Sequence, residues 1–330
     1  MSQLRTSNDR AMCITRRKYG RGFQYFDEQG EKITDTKVLR RFRKLVIPPM
    51  WAEVKICKWP DGHIQATGRD PKGRKQYIYH STWEQQQQQQ KFNRMKAFGL
   101  ALPDLRRSCQ EKVATNTKWT REKVLSLMLL ILDETGIRIG NQEYAERNDT
   151  YGLSTLRRKH LTIAHDQVRF EYQGKSGKKR RVAVEEIRLA AHIREAAELP
   201  GYEIFRYQNG HRSWENVDSD DVNTFIRKKM GPDFSSKDFR TWAASRLAVA
   251  YFPEARSRKQ QRPRQKLMNI LLRLVAKELG NTPAVCRTHY VHPAVLAVVQ
   301  EGTLPAPTGI PKPQAPHAHS RAERILLDLI

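Results

Sequence analysis

The sequence predicts an α+β protein. A small β-rich N-terminal domain spans residues 1–91. A larger, mainly helical domain with one small antiparallel β-meander spans 92–302. A proline-rich segment and C-terminal tail occupy 303–330. Three observations carry this reading. The text from Ile14 to about Tyr79 reads as short alternating strands broken by turn residues. After a glutamine run at Gln85–Gln90, apolar residues mostly recur at helical spacing. That spacing fails between 155 and 184, where alternation returns. The length of 330 residues suits two domains.

In the first domain, "GFQYFDEQGEKI" is an aromatic strand followed by an Asp-Glu-Gln-Gly turn. "VLRRFRKLVIPP" reads as a short helix stopped by Pro48-Pro49. "VKICKWPDGHIQATGRD" is a hairpin turning at Pro60-Asp61-Gly62. The glutamine run, a polar stretch of good helix formers, opens the interdomain connection. In the second domain, Arg121 to Asp133 is apolar on most sides and reads as a buried helix ended by Gly136. "HLTIAHDQVRFEYQGKSGKKRRVAVEE" alternates, turns and alternates again, with Gly174-Lys175-Ser176-Gly177 at a hairpin tip. Helices resume at about 184–197, 220–230, 236–251 and 265–279, the last ended by Gly280. Five prolines in 303–318 mark a loop, and 320–330 reads as a short amphipathic helix.

Charge narrows the function. The chain holds 60 Lys+Arg against 35 Asp+Glu, a net charge of +25. Residues 1–91 hold 19 basic and 9 acidic residues, and the remainder is also basic. Such an excess repels itself unless a polyanion compensates it, so nucleic acid is the first candidate partner. No run of about 18 apolar residues is present to span a bilayer. No apolar secretory region opens the chain. Cys13, Cys57, Cys109 and Cys286 are far apart and read as reduced thiols of an intracellular, cytoplasmic protein.

No phosphate-binding G-x-x-x-x-G-K-[ST] loop is present, which argues against ATP hydrolysis by that route. The densest acidic group, Asp218, Asp220 and Asp221, precedes an apolar-periodic segment and reads as helix capping rather than as a metal site. Chemistry on a phosphodiester would then rely on cationic side chains and a side-chain nucleophile. Four positions meet that demand. Arg138 lies in "DETGIRIGNQEYA", directly after the buried helix. Lys175 lies on the hairpin tip. Arg240 lies in "SSKDFRTWAASRLA", with Ser235 or Ser236 as N-cap and Lys237 nearby. Tyr290 lies in "LGNTPAVCRTHYVHP", after a helix break.

The order and settings of these residues resemble the superfamily of type IB topoisomerases and tyrosine recombinases. Lys237 and Arg240 match its Lys-x-x-Arg pair, and Asn281 stands nine residues before Tyr290. "VIPPMWAEVKICKWPDGHIQATGRDPKGRKQYIYHSTW" and "DETGIRIGNQEYAERNDTYGLSTLRRKHL" resemble the compact bacterial and poxvirus type IB DNA topoisomerases, and the bacterial group most closely. The resemblance runs from about Ile14 to Val298.

It implies a C-clamp around double-stranded DNA and an isomerase that works as a monomer. Such an enzyme needs no cofactor: no nucleotide, no metal. One strand is cut through a 3′-phosphotyrosine link, the duplex swivels, and the strand is resealed. Supercoils of either sign are relaxed. By the same resemblance Tyr290 is the nucleophile, Arg138 and Arg240 hold the non-bridging oxygens, and Lys175 is the general acid. Lys237 assists near Arg240. Asn281 stands where many members carry His; it can donate an amide N–H but cannot act as an acid. Gln76 and Tyr77 match a segment that touches the major groove, Tyr144 would contact the DNA backbone, and Arg69, Lys72, Arg74 and Lys75 would bind phosphates. Two other readings are a tyrosine recombinase or integrase, and a non-catalytic DNA-binding protein of the same fold.

Overall fold

The computed structural model describes residues 4–8, 10–115, 117–165, 167–210, 213–307 and 315–330. The chain divides into two compact units, Met1–Lys91 and Phe92–Ile330.

The first unit is built on a five-stranded antiparallel sheet. Its strands are β1 (Ile14–Tyr19), β2 (Gly22–Phe26), β3 (Ala52–Ile56), β4 (Ile64–Arg69) and β5 (Lys75–Tyr79), in the order β2-β1-β3-β4-β5. Helix α1 (Thr36–Lys44) starts where the Asp35 carboxylate accepts the Lys37 and Val38 amides. Its Phe42 is buried with Ile14, Val54, Ile56 and Ala66 of the sheet. Alternation along β5 leaves Lys75, Tyr77 and Tyr79 exposed and turns Gln76 and Ile78 inward. Helix α2 (Ser81–Asn93) contains the whole glutamine run and crosses the division between the units.

The second unit opens with α3 (Met95–Thr115) and α4 (Arg121–Thr135). Thr120 caps α4 by accepting the Lys123 amide, and Gly136 closes it at φ 60°. A Cβ on Gly136 would also lie 2.8 Å from the Ala243 Cβ, so a side chain is excluded twice over. After α5 (Gln142–Asn148), strands β6 (Leu161–Ala164), β7 (Gln167–Gln173) and β8 (Lys179–Val184) form the meander in the order β6-β7-β8. Val168, Phe170 and Tyr172 of β7 and Val182 and Val184 of β8 are buried in the core of this unit.

Helix α6 (Ile187–Ala197) follows. The hairpin of β9 (Arg206–Gln208) and β10 (Trp214–Asn216) is absent from the sequence reading. Helix α7 (Ser219–Met230) begins at Asp218, whose carboxylate accepts the Asp220 and Asp221 amides, so the acidic group caps a helix. Helix α8 (Ser236–Ala250) begins with Asp238 accepting the Ser235 amide at 2.9 Å. It is buried along most of its length because α3, α4, α10 and α13 pack on it. The remaining helices are α9 (Phe252–Gln261), α10 (Leu267–Leu279), α11 (Pro283–His289), α12 (Pro293–Glu301) and α13 (Arg321–Leu329).

The sequence predicts a proline-rich segment at 303–318 and a short amphipathic helix at 320–330, set apart from the catalytic domain. Helix α13 instead belongs to the second unit: Ile325 and Leu326 enter its core and Glu323 is buried. The proline-rich loop falls partly outside the described residues. No helix of the described residues is long and apolar enough to cross a membrane.

Candidate active site

Two helix ends and one helix start meet in the second unit. The loop after α4 holds Arg138. Its backbone is fixed because the Leu153 amide donates to the Arg138 carbonyl at 2.8 Å. Gly280 closes α10 in the left-handed region and turns the chain into Asn281. The Arg138 Nη2 donates to Asn281 Oδ1 at 2.5 Å. That bond fixes the amide's orientation: among the described residues Asn281 Nδ2, also buried, has no oxygen acceptor, its nearest partner being the soft Cys286 thiol.

Arg240, on the second turn of α8, is buried against the same two helix ends. Its Nη1 donates to the Gly136 carbonyl at 2.6 Å and its Nη2 to the Leu279 carbonyl, while its buried Nε has no partner among the described residues. The guanidinium carbon lies 5.4 Å from the centre of the Tyr290 ring. Burial, then the neighbouring Arg138, push the Arg240 pKa below its ordinary value; Tyr290 opposes that shift. Tyr290 itself is half-buried at the end of α11, where its amide donates to the Cys286 carbonyl.

The cluster is cationic and has no acid of its own. Among the described residues, neither Arg138, Arg240 nor the adjacent Arg180 forms an ion pair with a carboxylate. Buried donors without an anion cost solvation energy. An arriving phosphate would accept from Arg240 Nε and Asn281 Nδ2, and charge-assisted hydrogen bonds of this kind are the strong ones.

The other expected residues are exposed or belong to the first unit. Lys175 is exposed at the tip between β7 and β8, in a turn where Ser176 takes φ 65°. Lys237 lies one turn before Arg240 on α8, with its side chain exposed. Tyr144 is exposed on α5. In the first unit, Arg69, Lys72, Arg74, Lys75, Gln76 and Tyr77 all lie on the β4–β5 hairpin or its turn, but they are not equivalent. Arg69 pairs with Glu53 and Arg74 with Asp70, both at the surface. Gln76 donates to Asp70 at 3.1 Å from the inward face of β5. Tyr77 is on the outward face, stacked on Tyr79 at 5.9 Å, with the Lys75 ammonium 5.5 Å from its ring centre.

His292 is a structural residue. It caps α12 through the Ala294 amide, its own amide donates to Ser245 Oγ, and its ring packs edge-on against Phe92. His289 is exposed. Arg180 escaped the sequence reading. The signal was available: in "KRRVAV" it shares the inward phase with Val182 and Val184. Among the described residues no group of three or more His, Cys, Asp or Glu side chains could hold a metal ion.

The family model "Eukaryotic DNA topoisomerase I, catalytic core" matches residues 80–303, and "Bacterial DNA topoisomerase IB, N-terminal domain" matches 22–70. The DNA topoisomerase 1B of Acanthamoeba polyphaga mimivirus is 32% identical over 87% of this chain and 87% of its own. That of vaccinia virus, strain Copenhagen, is 22% identical over 71% of this chain and 72% of its own. Among solved structures, the pre-cleavage complex of the XerH site-specific recombinase bound to difH substrate aligns over 60% of this chain and 51% of that chain. The TM-score is 0.34 at 16% identity. The family matches span both units and include every residue of the arginine–tyrosine cluster, and on that ground the chain belongs to the type IB DNA topoisomerase family, enzymes of the isomerase class that act on DNA.

Proposed function

We propose that the chain relaxes supercoiled duplex DNA by transient cleavage of one strand, with Tyr290 as nucleophile. One observation carries the assignment of the site: Tyr290 stands beside a buried arginine cluster that, among the described residues, holds no carboxylate and leaves Arg240 Nε and Asn281 Nδ2 without an oxygen acceptor.

In the proposed reaction the scissile phosphate sits between Tyr290 and these donors. Tyr290 Oη forms a bond to phosphorus and its proton passes to water. The bond from phosphorus to the 5′-oxygen breaks, and that oxygen takes a proton from the Lys175 ammonium. Arg138 and Arg240 hold the non-bridging oxygens as charge builds in the pentacoordinate state. Asn281 adds a neutral donor. Lys237, exposed one turn before Arg240, assists from the α8 surface. Resealing runs the same steps backwards. The phosphotyrosine bond conserves the energy of the phosphodiester, so neither ATP nor a metal is required, and the duplex is free to swivel while the link lasts.

The two units divide the DNA contacts. Tyr144 touches the backbone near the site. The outward face of β5, with Lys75 and Tyr77, meets the duplex from the first unit. Gln76 reaches a base edge only if it leaves Asp70. Arg69 and Arg74 give up local carboxylates to bind phosphates, whereas Lys72 adds a point charge. The protein acts as an intracellular monomer, since one chain supplies every proposed group.

Relaxation of plasmid in EDTA without ATP, with Tyr290→Phe as control, tests this function. Relaxation of both supercoil signs that disappears in the variant is expected. No relaxation by the intact protein, or full activity in the variant, contradicts it. Strand exchange between two duplexes instead of relaxation would favour the recombinase reading.

A further inference from the structure

Lys175 is far along the chain from Asn281, yet the glycine before each residue is packed against the same side chain. Arg180 lies on β8, directly opposite Tyr172 of β7. It is buried and, among the described residues, has no carboxylate partner. Its head donates to the Glu278 carbonyl at 2.7 Å and to the Lys277 carbonyl at 3.4 Å. These are among the last carbonyls of α10, where a cation is favoured by the helix dipole.

The two glycines show how close the packing is. A Cβ on Gly280 would lie 2.1 Å from Arg180 Nη1. A Cβ on Gly174 would lie 2.8 Å from Arg180 Cγ. The stem of Arg180 therefore fills the space beside the residue before Lys175, and its head fills the space beside the residue before Asn281. Asn281 in turn holds Arg138. A continuous chain of contacts runs from the hairpin tip to the phosphate-binding pair.

We propose that Arg180 is a positioning residue that ties the hairpin bearing Lys175 to the Asn281–Arg138 pair, and so sets where the general acid stands relative to the scissile phosphate. The proposal rests on the reading of Lys175 as general acid given above. It explains why a strand alternating with Val182 and Val184 carries a buried arginine instead of a third apolar residue. An arginine is long enough to touch both segments, and its planar head can serve two carbonyls at once.

The test compares single-turnover cleavage of two duplexes by the full chain. One carries the ordinary scissile phosphodiester. The other carries sulfur in place of the 5′-bridging oxygen, and a thiolate leaves without being protonated. Arg180→Ala should slow cleavage of the oxygen substrate by about 10–100-fold, the scale expected for misplacing a reacting group by roughly 1 Å. Most of that loss should vanish on the sulfur substrate, and DNA affinity should hold. Adding Arg180→Ala to Lys175→Ala should cost little more than Lys175→Ala alone, because both act on one proton transfer. If Arg180→Ala melts below the assay temperature, Arg180→Lys, which keeps the charge but loses the fork, carries the same comparison.

Wild-type rates in the Arg180 variant would overturn the proposal. So would a defect that persists undiminished on sulfur and multiplies with that of Lys175→Ala. If Lys175→Ala is itself not rescued by sulfur, the general-acid reading fails and the tie proposed here falls with it. Rescue of Lys175→Ala without rescue of Arg180→Ala removes the tie alone.

Discussion

Arg106 and Arg240 are both buried guanidiniums on helices of the second unit, and they are satisfied in opposite ways. Arg106 of α3 is held by two carboxylates. Its Nε and Nη2 donate to Asp133 of α4 at 2.6 and 3.1 Å, and its Nη2 donates to Glu323 of α13 at 2.6 Å. Glu323 also accepts from Trp242 Nε1 of α8 at 2.9 Å. Burial alone would lower the Arg106 pKa, but Asp133 and Glu323 overcome it and raise it. Burial alone would raise that of Glu323, but Arg106 holds it well below the usual carboxylate range. Arg240, only two residues from Trp242, has two carbonyls, a tyrosine ring and another arginine for company, and its pKa is depressed. The first cluster is complete without a ligand and fastens four helices. The second has no carboxylate among the described residues, and the proposed function fills that place with the DNA phosphate. Buried charge alone therefore does not mark a site; a missing counter-ion is what makes the second cluster the candidate.

The contrast can be broken experimentally, beginning with the largest effect. Arg106→Met should cost about 3–5 kcal/mol, because it strands two buried carboxylates. For a unit of this size that lowers the melting temperature by roughly 10 °C in a thermal scan. Arg240→Gln should leave stability within about 1–2 kcal/mol of wild type. It should nevertheless slow single-turnover cleavage by about 10²–10³-fold. A melt and a cleavage assay on both variants check the crossing of the two effects. Equal stability losses would erase the distinction between the clusters.

Glu323→Gln sharpens the comparison through pH. A carboxylate whose folded pKa is depressed gives stability that is present above its unfolded pKa, near 4.3, and is lost as pH falls towards the folded value. Glu323→Gln should therefore melt earlier than wild type at pH 7, and the gap should close as pH falls below about 4. A gap that stays constant with pH would show that the charge of Glu323 does not matter. The smallest effect concerns the first unit. Lys75→Ala should lower the slope of log affinity against log salt by about 1, with cleavage of bound DNA unchanged.

Local structure was the legible part of the sequence. Asp218 read correctly as a cap because its two amide partners lie two and three residues away. Gly136 and Gly280 marked helix ends for the same local reason. The meander announced itself by alternation. Arg138, Arg240 and Tyr290 were weak candidates one by one, Asn281 was legible only through resemblance, and the structure brings the four together. Lys175 and Lys237 are exposed, and their roles remain proposals.

What stayed hidden was pairing at long range. Arg106 and Glu323 are 217 positions apart, and nothing in the local text of either points to the other. Residues 320–330 consequently read as an amphipathic helix whose docking place was not legible, although α13 buries the carboxylate that Arg106 needs. The alternation that places Arg180 inward was visible, but a basic run invites a reading as solvated charge. Gln76 and Tyr77 looked like one contact because they are adjacent, and a strand turns adjacent residues to opposite faces.

The central claim is that a DNA phosphodiester is held by the acid-free arginine cluster and attacked by Tyr290. The most direct measurement is to mix the protein with a duplex whose leaving fragment, the one that ends in the new 5′-hydroxyl, can dissociate, in EDTA without ATP, quench with denaturant, and map the attached residue. The account predicts a covalent adduct through a 3′-phosphate on Tyr290, absent in Tyr290→Phe. No adduct, or an adduct on any other residue, would contradict it.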